Sequence, residues 1–217
     1  MNFEIARHNM IEQQIRPWNV IDPVVLDVLE AIPRENYVPD EMKESAFSDV
    51  ELPISHDQLM LSPKIEAKIL QAVQVQKTDN VLEIGTGSGY MTALLAQLAD
   101  KVCSVEIHEP LSQQAQEKLT EEGFDNVTFV VADAARGFDQ NAPYDVIILT
   151  GSVPQLPEAY KQSLKKGGRL FAVIGSAPVM EATLITRVSS SQYSTEILFE
   201  TEIPELENIT RDKVFTL

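Results

Sequence analysis

Val81-Leu82-Glu83-Ile84-Gly85-Thr86-Gly87-Ser88-Gly89-Tyr90 is the stretch that decides the fold. Asn80 to Ile84 is short and apolar, as a buried strand is. Three glycines at alternate positions follow, and an apolar helical pattern runs from Tyr90 to about Leu98. Strand, glycine turn and helix in that order place a ligand site at the carboxyl end of the strand. Glycine lets the backbone take positive φ and lets a ligand approach with no Cβ in the way. A dinucleotide turn reads G-x-G-x-x-G/A. Counting from Gly85, the sixth position is Tyr90, so that pattern fails. The phosphate loop G-x-x-x-x-G-K-S/T fails too, because no lysine follows.

Downstream, β runs alternate with helices. Lys101 to Glu106 reads as a strand, Pro110 to Glu122 as a helix stopped by Gly123, and Asn126 to Val131 as a strand. Tyr144 to Leu149 is the fourth strand. Pro157 to Leu164 is a helix with Lys166-Gly167-Gly168 as its stop, and Arg169 to Ile174 is the fifth strand. Ala182 to Val188 and Tyr193 to Phe199 lack a helix-length spacer, so they form an antiparallel hairpin. The alternation predicts a parallel sheet covered on both faces. Upstream of Asp79, helical patterns dominate: Phe3 to Ile15, stopped by Pro17; Val24 to Ile32, opened by Asp22-Pro23; and a helix from Ser62-Pro63 through about Val75. The expected division is 1–78, helical extension and loop, and 79–217, ligand-binding core, in one compact domain.

Two carboxylates accompany the glycine turn. Glu106 ends the second strand, where it can accept hydrogen bonds from both hydroxyls of a ribose. Asp133 follows the third strand, where it can accept from an adenine amine. Each has a plainer reading: Glu106 as a cap of the next helix, Asp133 as a solvated turn residue. Their joint placement at successive strand ends favours the ligand.

Composition narrows the rest. The 217 residues carry 17 Lys and Arg against 33 Asp and Glu, a formal net charge of −16. That weighs against a nucleic-acid partner and against an anionic membrane surface. No apolar run approaches the roughly 18 residues of a membrane-spanning helix. The start, MNFEIARHNM, lacks the apolar core of a secretory signal. The single Cys103 sits mid-strand as inert core, and one cysteine forms no disulfide framework, so a reducing, cytoplasmic compartment is expected. No Cys/His cluster has metal spacing.

VLEIGTGSGY, with Glu106-Ile107 closing the second strand, resembles the cofactor motif of class I S-adenosylmethionine-dependent methyltransferases. Within them the chain is most similar to the protein-L-isoaspartate O-methyltransferases. The resemblance runs along nearly the whole chain: Arg7 to Ile15 (R-x-x-M-I-E-Q-Q-I), Ala31 to Pro39 (AIPRENYVP), Ala46 to Asp49, Leu52 to Ile54, Pro143 to Thr150 and Lys165 to Leu170 match in order. It implies a Rossmann-like α/β fold: a seven-stranded, mostly parallel sheet with a C-terminal antiparallel hairpin and an N-terminal helical extension. It implies S-adenosyl-L-methionine as cofactor, S-adenosyl-L-homocysteine as product, no metal, and a protein or peptide acceptor carrying isoaspartate. By resemblance Glu83, Gly85 and Gly87 line the methionine side, Glu106 holds the ribose, Asp133 and Ala134 meet the adenine, and Thr86, Ser88, Gly89 and Ile107 also belong to the cofactor site.

The match breaks in the substrate loop. Where the family reads G-x-G-Q-T-I-S-Q-P, this chain reads Ser55-His56-Asp57-Gln58-Leu59-Met60-Leu61-Ser62-Pro63. Gln58 and Pro63 hold the frame, so the family Thr falls on Leu59 and its Ser on Leu61. The two leucines read either as packing an apolar acceptor or as core beneath a loop. Ser62 reads first as a helix cap and second as a catalytic hydroxyl. His56 is a surface residue or a base, and the surface is favoured. His8 and His108 fall in predicted helices and are expected in solvent. Trp18 is expected to pack the first helix onto the body. Thr150 and Ser152, past the fourth strand, are secondary substrate contacts. Three functions stay open: isoaspartyl methylation, methylation of a different acceptor, and cofactor binding without catalysis; a fourth, a NAD-dependent oxidoreductase, is disfavoured by Tyr90 and the terminal hairpin.

Overall fold

The computed structural model describes residues 1–209, so the last residues of the expected core, 210–217, lie outside the described residues. The N-terminal part carries α1 (Phe3–Met10), α2 (Pro23–Ala31), the two-residue strands β1 (Leu52–Pro53) and β2 (Leu59–Met60), and α3 (Pro63–Val73). The rest alternates β3 (Asn80–Ile84), α4 (Tyr90–Leu98), β4 (Lys101–Glu106), α5 (Glu109–Glu121), β5 (Val127–Val131), β6 (Tyr144–Val153), α6 (Glu158–Gln162), β7 (Leu164–Ser176), β8 (Val179–Arg187) and β9 (Tyr193–Glu200).

These last strands form one seven-stranded sheet in the order β5-β4-β3-β6-β7-β8-β9. The pairs β5/β4, β4/β3, β3/β6 and β6/β7 are parallel, while β7/β8 and β8/β9 are antiparallel. The expected mostly parallel sheet with a terminal hairpin is what the chain forms. After β3 the chain builds outward to β4 and β5, then returns to β6 on the other flank of β3. That reversal opens a crevice at the carboxyl ends of the central strands.

Strand alternation sorts the core into two layers. Val81, Val146, Ile148, Phe171 and Val173 meet the N-terminal helices, α3 and α4. Leu82, Ile84, Val105, Ile147, Leu149, Leu170 and Ala172 form the opposite layer, which takes in Cys103. A buried arginine ties the N-terminal part to the site. Arg34 Nε donates to the carbonyl of Ala46 (2.9 Å) and Nη2 to that of Leu61 (2.6 Å). Nη1 pairs with the buried Glu66, and the guanidinium lies 5.0 Å from the centre of the Tyr90 ring.

Several expectations need correction. The first helix leaves α geometry at Met10: Ile11–Ile15 form a wide π-type turn and Arg16–Trp18 a tight 3-10 turn, ending where Asn19 takes φ 65°. Trp18 does not pack inward. It is 52% exposed, and the ammonium groups of Lys64 and Lys68 sit 4.3 and 5.0 Å from its ring centre. Helix α3 stops at Val73 because Gln74 turns left-handed. Lys166-Gly167-Gly168 is not a helix stop. Helix α6 ends at Gln162, and these residues bulge within β7, whose partner register moves from Tyr144↔Leu164 to Val146↔Arg169. A bulge accepts a glycine at positive φ as readily as a helix end does, and Gly167 has φ +81°. Strand β6 runs past Leu149 because Ser152 and Val153 pair with Val173 and Ile174.

Candidate functional site

The glycine turn connects β3 to α4. Gly85 N donates to the carbonyl of Val105 (2.8 Å), which fastens the turn to β4. At φ +95° Gly85 occupies backbone space that disfavours side chains, and a Cβ there would run into the Thr150 hydroxyl. That hydroxyl donates to the carbonyls of Ile84 (2.9 Å) and Gly85 (2.8 Å), so Thr150 is committed to holding the turn. Gly89, φ +83°, begins α4, and a Cβ on it would meet Ala115 Cβ of α5 at 2.9 Å.

Glu106 closes on the turn from β4. Its Oε2 accepts from Gly87 N (2.9 Å), and its Oε1 accepts from Ile107 N (2.9 Å) and His108 N (3.0 Å). The carboxylate thus braces both the glycine turn and the approach to α5, and it faces the crevice as well. Asp133 Oδ1 accepts from Ala135 N (2.9 Å) and its Oδ2 from the Asn208 amide (2.9 Å).

One crevice gathers Gln58, Leu59, Leu61, Gly85, Gly87, Glu106, Ile107, Asp133, Ala134 and Thr150. Thr86 and Ser88 line a smaller compartment beside it, with Leu59, Leu61, Gly85, Gly87 and Glu66. Glu83, Gly89, Ser62 and His56 line neither compartment. Glu83 is fully buried behind the turn, where its Oε2 accepts from Thr92 and Ser104 hydroxyls, each at 2.6 Å. Strand alternation sends Leu82 and Ile84 to one layer and Glu83 to the other, toward α4. Burial lifts the Glu83 carboxyl to about 8, against the pull of those two hydroxyls, and Glu106 and Glu66 push the same way as burial. Gly89 is spent on packing. Ser62 stands at the start of α3 in extended geometry, and its hydroxyl makes no capping bond. His56 is exposed at φ 62°, with Nδ1 3.1 Å from Ser55 Oγ.

The leucines differ. Leu59 is 40% exposed while Leu61 is 6% exposed, its carbonyl held by Arg34. Burial raises the Glu66 carboxyl behind that contact, and the Arg34 guanidinium pulls it back, leaving it at about 7. Asp57 adopts φ 56° at a position where the family pattern has glycine.

Sequence reasoning missed the C-terminal strap. Pro204, Glu205, Leu206 and Glu207 lie against the crevice. Ser152 is its anchor and not a substrate contact: fully buried, it donates from N to Pro204 O (2.7 Å) and from Oγ to Ile203 O (3.0 Å), and its carbonyl accepts from Leu206 N (2.9 Å). His108, expected in solvent, instead precedes α5, stacks on His56 at 4.9 Å and lies 2.7 Å from Glu207 Oε1. Its ring and that of His56 are 30° from parallel. No short-range pattern could have joined Glu207 to His108 and Gln58, 99 and 149 positions away. Among the described residues no group of three or more His, Cys, Asp or Glu side chains is placed to hold a metal ion, and no helix is long and apolar enough to cross a membrane.

A parallel sheet whose order reverses beside β3, a terminal antiparallel pair and a glycine turn with a carboxylate on the neighbouring strand define a Rossmann-like class I methyltransferase fold. The family model described as Protein-L-isoaspartate(D-aspartate) O-methyltransferase matches residues 5–202. The chain belongs to that family. The protein-L-isoaspartate O-methyltransferase of Opitutus terrae is 39% identical over 171 residues, 79% of this chain and 73% of its own. That of Rhodopseudomonas palustris is 39% identical over 190 residues, 87% of each chain. A solved protein-L-isoaspartate O-methyltransferase matches with a TM-score of 0.78 at 25% identity, over 92% of this chain and 65% of that one. A Plasmodium falciparum chain solved with S-adenosyl-L-homocysteine has the same fold, with a TM-score of 0.79 at 20% identity over 95% of this chain and 99% of that one.

Proposed function

We propose that the protein binds S-adenosyl-L-methionine in this crevice and methylates the carboxylate of L-isoaspartyl or D-aspartyl residues in damaged proteins and peptides. The observation that carries this reading is the pair Glu106 and Asp133, at the ends of adjacent strands beside the Gly85–Gly89 turn, in a chain of this family. Their chemistry suits an adenosine: Glu106 accepts from the ribose hydroxyls, and Asp133 accepts from the adenine amine. Ile107 and Ala134 give the base apolar flanks. Gly85 and Gly87 leave the turn bare of Cβ atoms where the methionine portion lies, with Thr86 and Ser88 behind them.

The bound cofactor supplies a methyl group on a sulfonium: a carboxylate oxygen forms the new bond to carbon as the carbon–sulfur bond breaks, and the electron pair stays on sulfur. An isoaspartyl carboxylate is already ionised at neutral pH, so the chain needs no general base. Its residues align the acceptor and exclude water. Alignment of this kind contributes on the order of 7–11 kcal/mol. A buried, reduced Cys103 is in keeping with a cytoplasmic place.

Leu59 favours a second reading. It brings an exposed apolar side chain to the crevice where the family has a hydroxyl, which suits a less polar acceptor. Incubation with methyl-labelled cofactor and an isoaspartyl peptide decides between them. Label in the peptide is expected. No label, with S-adenosyl-L-homocysteine bound normally, overturns the isoaspartyl assignment.

A further inference from the structure

Gln58 and His108 converge on a carboxylate. Gln58 Nε2 donates to Glu207 Oε1 at 2.9 Å, and His108 Nε2 lies 2.7 Å from the same oxygen. A carboxylate oxygen only accepts, so the imidazole nitrogen carries the hydrogen. The two donors come from different segments, the substrate loop and the corner before α5. Both are held in place. The His56 ring stacks on His108 at 4.9 Å, and Gln58 Nε2 also reaches the His56 carbonyl at 3.2 Å. Gln58 and Glu207 line the crevice together with Leu59, Leu61 and Thr150.

Among the described residues that line the crevice, Gln58 and Thr150 are the side chains that carry a hydrogen-bond donor. Leu59 and Leu61 have none, and the Thr150 hydroxyl is committed to the carbonyls of Ile84 and Gly85. Among the described residues the carboxylate receptor on this rim is therefore the Gln58–His108 pair, and the chain has filled it with its own Glu207. A second carboxylate arriving there meets like charge at close range, and two carboxylates sharing a site repel strongly. Glu207 can yield: its side chain is 42% exposed, and the strap is fastened at Ser152, through the backbone of Pro204 and Leu206, not at Glu207 itself.

We infer that Gln58 and His108 bind the acceptor's carboxylate and so determine specificity, and that Glu207 is a built-in competitor which must swing aside before the acceptor binds. The inference rests on the isoaspartyl reading above and deepens it. It leaves the methyl-transfer step unchanged.

The test is calorimetric titration of an isoaspartyl peptide into protein saturated with S-adenosyl-L-homocysteine, which needs no turnover. Glu207→Ala should bind the peptide roughly tenfold tighter than the wild type, the scale of one hydrogen bond to a charged group. The same peptide with that carboxylate converted to an amide should gain nothing. Gln58→Ala and His108→Ala should each weaken the carboxylate peptide roughly tenfold and spare the amide. In label-transfer assays the Glu207→Ala gain should appear in KM. A structural disturbance predicts loss, not gain, so misfolding cannot imitate the result. The inference is overturned if Glu207→Ala leaves affinity unchanged or lowers it, if it tightens both peptides equally, or if neither protein binds the peptide. The broader isoaspartyl reading has its own failure: wild-type protein that binds the homocysteine product yet passes no label to the peptide.

Discussion

Removing the Glu106 carboxylate is the sharpest perturbation of the cofactor half. The carboxylate has about four acceptor sites. Backbone N–H groups of Gly87, Ile107 and His108 take three of them, at 2.9, 2.9 and 3.0 Å. A ribose thus finds one free site and gains a second by sharing an oxygen with a backbone donor. One to two charge-assisted bonds of about 1.5–3 kcal/mol each are at stake. Glu106→Ala should therefore raise the Kd for S-adenosyl-L-homocysteine by about tenfold at least, and by up to about 10⁴-fold if both bonds count fully. Glu106→Gln should do little better. Whichever way its amide turns, the NH₂ faces a backbone N–H, from Gly87 on one side or Ile107 and His108 on the other. Calorimetry at 25 °C reads the change directly, and a thermal melt of the ligand-free protein separates it from unfolding. An analogue without the 2′ and 3′ hydroxyls supplies the control, since it should bind wild type and Glu106→Ala with nearly equal affinity. Should Glu106→Ala bind the full ligand within threefold of wild type while melting normally, the ribose role of Glu106 is refuted.

Gly85→Ala combines a left-handed backbone penalty of about 1–2 kcal/mol with overpacking against Thr150 of about 1–3 kcal/mol; a lowered melting temperature and loss of S-adenosyl-L-homocysteine binding are expected together. The folded chain keeps a proton on Glu83 up to about pH 8, whereas an exposed glutamate releases it near 4.5, so this contribution to stability is complete below about 4.5 and is lost as pH rises through 8. Glu83→Gln, which keeps an oxygen for Thr92 and Ser104, should flatten that decline in melts run from pH 6 to 9. Arg34→Met strands the buried Glu66 and should destabilise by about 3–5 kcal/mol in urea titration, with Arg34→Met/Glu66→Leu recovering most of it. Leu59→Thr, at a half-exposed position, should leave the melting temperature nearly unchanged and raise label transfer to an isoaspartyl peptide, whereas adding Leu61→Ser removes a buried leucine and should lower stability by a few kcal/mol.

The central strand–turn–helix was legible because its signals are local. Asn80–Ile84, Tyr90–Leu98 and Lys101–Glu106 fall where the apolar runs and glycines put them. The sheet's parallel character followed from alternation, and its antiparallel end from a spacer too short for a helix. What escaped was decided by partners. Gly167 at φ +81° would suit a helix stop or a bulge, and only pairing of β7 with β6 chooses the bulge. Trp18 carries an inward-facing composition but meets the cations of Lys64 and Lys68. Glu83 belongs to the cofactor motif by sequence, yet the same alternation that sorts Leu82 and Ile84 turns it toward α4. The period-2 rule was available to show this and points the same way as the structure.

The two halves of the crevice proposed for cofactor and acceptor have different physical origins. The half assigned to the cofactor hangs on the glycine turn, whose shape is set by positive φ, by the Thr150 hydroxyl and by the bond from Gly87 N to Glu106. A substitution there disturbs the sheet itself. The acceptor half is assembled from the loop at 55–61, the corner at His108 and the strap at 204–208, which meet only through side chains and the Ser152 anchor. Changes there alter what is recognised while the sheet stays intact. That is where the chain departs from its family's pattern, with leucines for hydroxyls and a glutamate seated on the remaining donors. The net charge of −16 sharpens the consequence. Beyond about 8 Å such a field is screened at physiological salt, and at closer range it repels an anionic acceptor, so short-range donors on the rim have to supply the selectivity that long-range attraction cannot.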